Sequence, residues 1–595
     1  MTQGCVLPRR LLAILFLLLG WAGAAFAQGE RPSVPKLLPE KTLAMVRAED
    51  LPNTIERYKN GSMGRMLTDP QLTPLTEHLY KRGAEEYKNR LEGEVEVSLE
   101  DLLKIPQGEV AIALVAGPDD RLNQLGFVAF LEVADHVPQA RKLIARLERL
   151  VTDNGGMVTT DMEGNVSIKT ISGPDGNSIM IFDRDGMFVV SNRRPHLQEV
   201  LRRWNGEQLP TLADNPKYAG VMSRCRPGPD QPVDIEGFVD PISIVKTVAR
   251  DSGGAIFLAF LPQLGLDGIQ AVGATTTSGE GDFDDVIRLQ VLMPTPRSGV
   301  LDLIAFKGDE AEPEAWAPDD LSSYMTVNWD VKKTYSTGAS LYNSIMGEEG
   351  AFENEVRNRI DQQLGVDFAS ELLPALDGRL TYATWIEPPA RLNSQANLVG
   401  VKLADPESFR ATFKKIVEKY SERFEERVIA GTKVYAALLP NNGAPDDPNQ
   451  TIRRPEPCFC VWGDYLLASD SVKFIEHCIK TGRDGKNRLA SDIEFKLVLG
   501  KIARQSGGNR PGMLSYSRPE EAMRNLYDMA TSEANRQRIK EQATNNGFFK
   551  TVDDALSQHP LPPFSVFEKY LAPSGGLLVL DDSGLRFMTF SLRRD

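Results

Sequence analysis

Histidine and cysteine are scarce here, five of each in 595 residues. The histidines, His78, His136, His196, His477 and His559, are scattered singly, and no H-E-x-x-H motif gathers them for metal chemistry. Four cysteines beyond residue 27 are too few to staple so long a chain. A Walker-type phosphate loop, a G-x-S-x-G elbow and a dinucleotide glycine fingerprint are also missing, so no cofactor is expected. Positive charge is short: 68 Lys and Arg face 82 Asp and Glu, a formal net charge of −14. A surface of that sign repels phosphate backbones and anionic headgroups, which excludes nucleic acid as a natural partner. Beyond the first 27 residues, no apolar run approaches the roughly 18 residues that a membrane span needs.

The one long apolar run opens the chain. Arg9 and Arg10 precede a leucine-rich stretch that ends in small residues, Ala25-Phe26-Ala27. A basic region, an apolar core and an A-x-A site predict a secretory leader over 1–27, cleaved before Gln28. The remainder carries 66 basic and 82 acidic residues, a formal −16. It is expected to be exported, to the periplasm or beyond, with no integral membrane segment once the leader is gone.

What the chain does have is a stretch written twice. Shifting Ser98–Asp135 by 270 positions lays it on Phe368–Asp405 without a gap, and ten of the 38 positions are identical. Leu102/Leu372, Gly108/Gly378, Arg121/Arg391, Asn123/Asn393 and Asp135/Asp405 are among them. An internal repeat of that length predicts two similar halves. In each copy, two strands lead to a helix, then to strands around an Asp-Gly or Gly-Asp turn, then to a closing helix. This order predicts an α+β fold, a tandem duplication of an antiparallel-sheet-plus-helices unit, with the helices on one face of each sheet. The first half is expected over 28–307, with repeat unit 98–206 and tail 212–307. The second is expected over 321–595, with repeat unit 368–485 and tail 488–595. Residues 308–320, acidic and proline-bearing, have the composition of a linker.

Candidate site residues follow from the repeat. Arg121 and Asn123, matched by Arg391 and Asn393, sit in polar loops where they could bind a ligand or serve turn chemistry alone. Asp135 and Asp405 stand where helix N-caps belong, and Gly108 and Gly378 where a left-handed helix terminus would want glycine. No histidine is common to both copies. Asp282-Phe-Asp-Asp285 lacks the glycine and terminal glutamate of a calcium loop. Cys458, Cys460 and Cys478 replace Met180, Phe182 and Val200 of the first copy, so they belong to apolar positions. Three readings stay open for them: small buried hydrophobes, a strand-to-helix disulfide between Cys460 and Cys478, or a metal site with His477.

Leu38-Pro39-Glu-Lys-Thr-Leu-Ala-Met-Val-Arg47, then Asp50-Leu51, Gly64 and Asp69-Pro70, resembles the opening of an uncharacterised bacterial secreted-protein family, a domain of unknown function. Gly463-Asp-Tyr-Leu-Leu-Ala-Ser469 is similar to the units that close its members. The resemblance implies an envelope or exported location and brings no catalytic residue with it. The expected function is an exported, non-enzymatic envelope protein with a binding or structural role, its partner an envelope protein or a small molecule. The alternatives are a hydrolase with its site between the halves and a periplasmic carrier of an apolar ligand.

Overall fold

Val110-Ala-Ile-Ala-Leu-Val115 has no polar side chain to show on either face, which makes it an interior strand. A computed structural model places it in the middle of its sheet. The structure describes residues 31–594 apart from 90–97, 229–230, 252, 310–311, 390–392, 439–452, 534–535, 538–539 and 542–546. The expected leader and Arg391 lie outside the described residues. The chain forms two compact units, one of residues up to Leu261 with Ile269–Met293, the other of Pro262–Gly268 with Pro294–Asp595.

The first unit carries β1 (Thr42–Ala48), β2 (Val110–Val115), β3 (Gly126–Glu132), β4 (Met157–Glu163), β5 (Val166–Ser172), β6 (Ser178–Arg184), β7 (Met187–Ser191), β8 (Ile235–Val239), β9 (Ala271–Ser278) and β10 (Phe283–Leu292). They lie antiparallel in the order β4-β5-β6-β7-β3-β2-β1-β8-β9-β10. Its helices include α1 (Val137–Asp153), α2 (Arg194–Trp204), α3 (Pro216–Cys225) and α4 (Pro241–Asp251).

The second unit carries β11 (Ser323–Asn328), β12 (Leu376–Ile386), β13 (Gln395–Leu403), β14 (Phe424–Ile429), β15 (Thr432–Ala437), β16 (Cys458–Trp462), β17 (Tyr465–Ser469), β18 (Met513–Ser517), β19 (Ser574–Asp581) and β20 (Gly584–Leu592). Their order is β14-β15-β16-β17-β13-β12-β11-β18-β19-β20, again antiparallel. Its helices include α5 (Pro406–Lys419), α6 (Val472–Asp484), α7 (Ile493–Gln505) and α8 (Pro519–Thr531).

The two units share strand order, and they share register. Met45 pairs with Ala113, Ala113 with Val128 and Val128 with Ser191. In the second unit Tyr324 pairs with Ala383, Ala383 with Leu398 and Leu398 with Ser469. In the other direction Met45 meets Phe238, which meets Gly273; Tyr324 meets Tyr516, which meets Gly575. The α+β class is as expected.

Helices do not keep to one face, however. Along β5–β7 of the first unit alternate residues enter opposite cores. Ile168, Phe182 and Val189 join α2, α3 and the N-terminal segment, while Ile171, Ile181 and Phe188 join α1. Strands that are apolar at successive positions need cover on both sides, and α1 supplies the second. Glycine makes the first side close: a Cβ at Gly273 would stand 2.6 Å from Val221 of α3.

Residues 312–320 are no linker. They form a strap across the second unit, with Glu314, Trp316 and Ala317 buried. Trp316 lies edge-on to Tyr465. The strap matches residues 31–41 of the first unit, where Leu37 and Leu38 are buried. Pro39 bridges to Thr211 and Pro318 to Arg488. Leu212 N–H donates to Leu38 O, and Leu489 N–H to Ala317 O, both at 2.9 Å. A charged, proline-bearing composition, basic in the first strap and acidic in the second, hides the few apolar residues that dock each strap.

Two local expectations are also corrected. Gly378 has φ of 110°, but it sits inside β12, where a Cβ would stand 2.2 Å from Trp329 O. Gly108 is not left-handed; a Cβ there would meet the Glu132 carboxylate at 2.4 Å. Asp405 does cap α5, accepting from Ser408 N–H at 3.0 Å. Asp135 lies in a 3-10 turn ahead of α1, whose N-cap is His136 with no side-chain bond.

Candidate binding cleft

A cleft of about 410 Å³ opens in the first unit where the start of β1, the loop after β2, the N-terminal end of α3 and the helix α4 converge. Its charged lining comprises Lys41, Lys217, Lys246 and Arg250 against Glu40, Asp120 and Asp240. Four cations around one cleft reverse, locally, the sign of a chain whose net charge is −14.

Local structure sets each side chain. Asn215 caps α3, accepting from Lys217 N–H at 2.8 Å, while its amide donates to Glu40 O at 2.9 Å. Asp240 does the same for α4, accepting from Ser243 N–H at 3.0 Å and from its hydroxyl at 2.8 Å. Lys217 adds an ammonium at 2.5 Å. On the opposite wall Asp120, at φ of 52° in its turn, faces Lys41 at 3.2 Å and Arg250 at 3.5 Å. Lys246 is exposed and forms no ion pair among the described residues. Both helix N-termini direct their positive dipole ends here.

An adjoining cavity of about 310 Å³ shares Glu40, Lys41 and Ala116 with the cleft and is lined further by His196, Glu199 and Arg203. His196 is buried. Burial lowers its pKa and outweighs the opposing hydrogen bond to the Gln124 backbone, so the imidazole is neutral at physiological pH. Its Nε2 is buried without a hydrogen-bond partner among the described residues.

The loop residues expected to bind a ligand have protein partners or none that mark a site. Arg121 is 62% exposed, 3.9 Å from Asp251 at the end of α4. Leu122 N–H donates to the same carboxylate at 2.7 Å. Asn123 is exposed in the short 3-10 turn Leu122–Gln124. Asn393 adopts φ of 63° and its carbonyl accepts from Arg453 Nε at 2.8 Å. The loop of the first unit nonetheless reaches the cleft, through Asp120 rather than Arg121.

The cysteines are free thiols, so the structure holds no Cys460–Cys478 bridge. Burial pushes Cys225, Cys458 and Cys460 up to about 12 and Cys478 well above its ordinary value. That keeps them protonated and inert. Among the described residues no group of three or more His, Cys, Asp or Glu could hold a metal ion, and His477 is engaged elsewhere. Its Nε2 lies 2.8 Å from Asp320, which also accepts from Trp385 at 3.0 Å. Burial would raise the Asp320 pKa, but these hydrogen bonds hold it below its ordinary value.

The shared register shows what the second unit places at the cleft's corresponding positions. Asp320 stands for Lys41, Glu494 for Lys217, Arg518 for Asp240, Arg524 for Lys246 and Asp528 for Arg250. Asp240 N–H donates to Leu43 O at 2.7 Å, and Arg518 N–H to Ser322 O at 2.9 Å, which ties the two frames together. Three of the four cations become carboxylates.

No protein-family model and no curated protein matches the chain. It is similar to a solved structure described as "Structure of crystal form III of TP0453", at 10% identity and TM-score 0.24, over 47% of this chain and 86% of that one. No helix among the described residues is long and apolar enough to cross a membrane.

Proposed function

We propose that this is an exported, non-enzymatic binding protein. Its ligand site is the cleft of the first unit, and its second unit is a copy of the same module kept for a structural role. The observation that carries the reading is the cleft itself: a concave site with converging polar groups from four separate elements. The nearest approach to a catalytic arrangement there is Ser243, Asp240 and Lys217. Asp240 already accepts three hydrogen bonds, one from an ammonium, and this is the bonding of a helix cap. A carboxylate so occupied is a weak base for activating the Ser243 hydroxyl. The seven charged side chains of the lining also disfavour a carrier of apolar ligands.

Thermal-shift screening of the purified chain against charged and neutral small solutes tests this. At one hundred times its Kd a bound solute adds about 2.7 kcal/mol of stability. The expected result is a stabilising solute whose effect Lys246→Ala/Arg250→Ala removes. Turnover of an ester, glycoside, peptide or phosphate substrate that Ser243→Ala abolishes would make the protein a hydrolase instead.

A further inference from the structure

The geometry points to a phosphate monoester of a small hydroxylated molecule as the ligand of the first unit's cleft, an inference that rests on the binding reading above. Lys41, Lys217 and Lys246 enter from three elements, the lead into β1, the first turn of α3 and the middle of α4. Ammonium groups arriving from three sides suit a tetrahedral oxyanion with three free oxygens. A planar carboxylate is better matched by the bidentate fork of an arginine, and the one arginine on this lining is shared with Asp120.

Charge count agrees. Asp240 is satisfied by Lys217 and Ser243, and Asp120 by Lys41 and Arg250. Lys41, Lys217, Lys246 and Arg250 face Glu40, Asp120 and Asp240, which leaves the lining one net positive charge, and the dipoles of α3 and α4 add positive potential at the same place. An anion is therefore favoured over a neutral solute, and the second charge of a phosphate monoester strengthens its bonds to the three ammonium groups. The adjoining cavity, reached past Lys41, has room for the ester's organic body. The chain's overall negative charge slows approach of such a ligand without altering these local contacts.

Calorimetric titration of the full chain with glycerol 3-phosphate, inorganic phosphate, succinate and glycerol reads this directly. Glycerol 3-phosphate should bind tightest and lose at least tenfold in affinity in Lys246→Ala/Arg250→Ala. Its affinity should also fall as the pH drops through about 6, where a phosphate monoester loses its second charge. Succinate binding as tightly, with no fall near pH 6, would overturn the phosphate assignment while leaving the cleft as the binding site. Glycerol 3-phosphate binding that the double variant leaves untouched would overturn both. Should none of the anions bind while a neutral solute from the thermal screen does, the phosphate inference is wrong and the binding reading stands.

Discussion

The two units share a strand order and a register but carry opposite charges at several corresponding positions. Ten strands in each follow one order and one register, yet positions that correspond carry inverted side chains. At the start of β2, buried Glu109 accepts from Arg31 and Arg47. Arg379, 270 positions on, is buried too and donates to Glu314 at 2.8 Å. In the cleft Lys217 faces Asp240; at the matching place Glu494 faces Arg518 at 3.8 Å. Where a unit buries charge it needs a partner for it, and either sign will do. Removing one member leaves a buried charge unpaired, whereas reversing both leaves the pairing intact. The cleft differs in that its charges are partly exposed to solvent, so their sign is free to select a ligand.

The straps give the comparison its largest expected effect. Trp316→Ala should cost about 3–5 kcal/mol in urea unfolding, and Leu37→Ala, its counterpart in the first unit, about 2–5 kcal/mol. Both residues are essentially fully buried. A Trp316 variant as stable as the parent would return 312–320 to a linker and break the match. Next, Cys478→Val writes the residue of the first unit into the second at the place of Val200. As a near-isosteric change between buried thiol and hydrocarbon it should shift stability by less than about 1.5 kcal/mol. A loss of about 2–5 kcal/mol would reveal a disulfide. The smallest contrast lies in the caps. Asp405→Ala should cost about 1 kcal/mol, and Asp135→Ala at the identical repeat position less than about 0.5 kcal/mol. Equal losses would mean that the two helices start alike after all.

Much of the sheet was legible in the sequence, because its central strands are apolar runs flanked by turn residues. The hairpins β6–β7 and β16–β17 are predicted from their Asp-Gly and Gly-Asp turns and found there. The strands β4 and β14, at one end of each order, were not legible. Met157–Glu163 is mostly exposed, so no buried face imposes an alternation on it. The straps were hidden by charged and proline residues surrounding two or three docked apolar side chains. The cleft could not be read locally, since Lys41, Lys217, Lys246 and Arg250 come from three distant segments joined only by the fold. Its trace was nevertheless present. Carrying the alignment of the halves beyond the repeat unit, at shifts of 277 to 279, sets Lys41 on Asp320 and Lys217 on Glu494. Inverted charges at matching places are the signal that a search for shared residues passes over.

Exchanging those charges between the units tests the ligand site directly. Equilibrium dialysis with glycerol 3-phosphate would compare the parent chain with Lys41→Asp/Lys217→Glu, which writes the second unit's side chains into the first unit's cleft. Arg524→Ala, at the matching place of the second unit, serves as the control, with circular dichroism confirming that each variant is folded. One ligand should bind per chain, and binding should be lost in the double variant and retained in the Arg524 variant. Binding that survives Lys41→Asp/Lys217→Glu, or that disappears with Arg524, would contradict the assignment of the ligand site to the first unit.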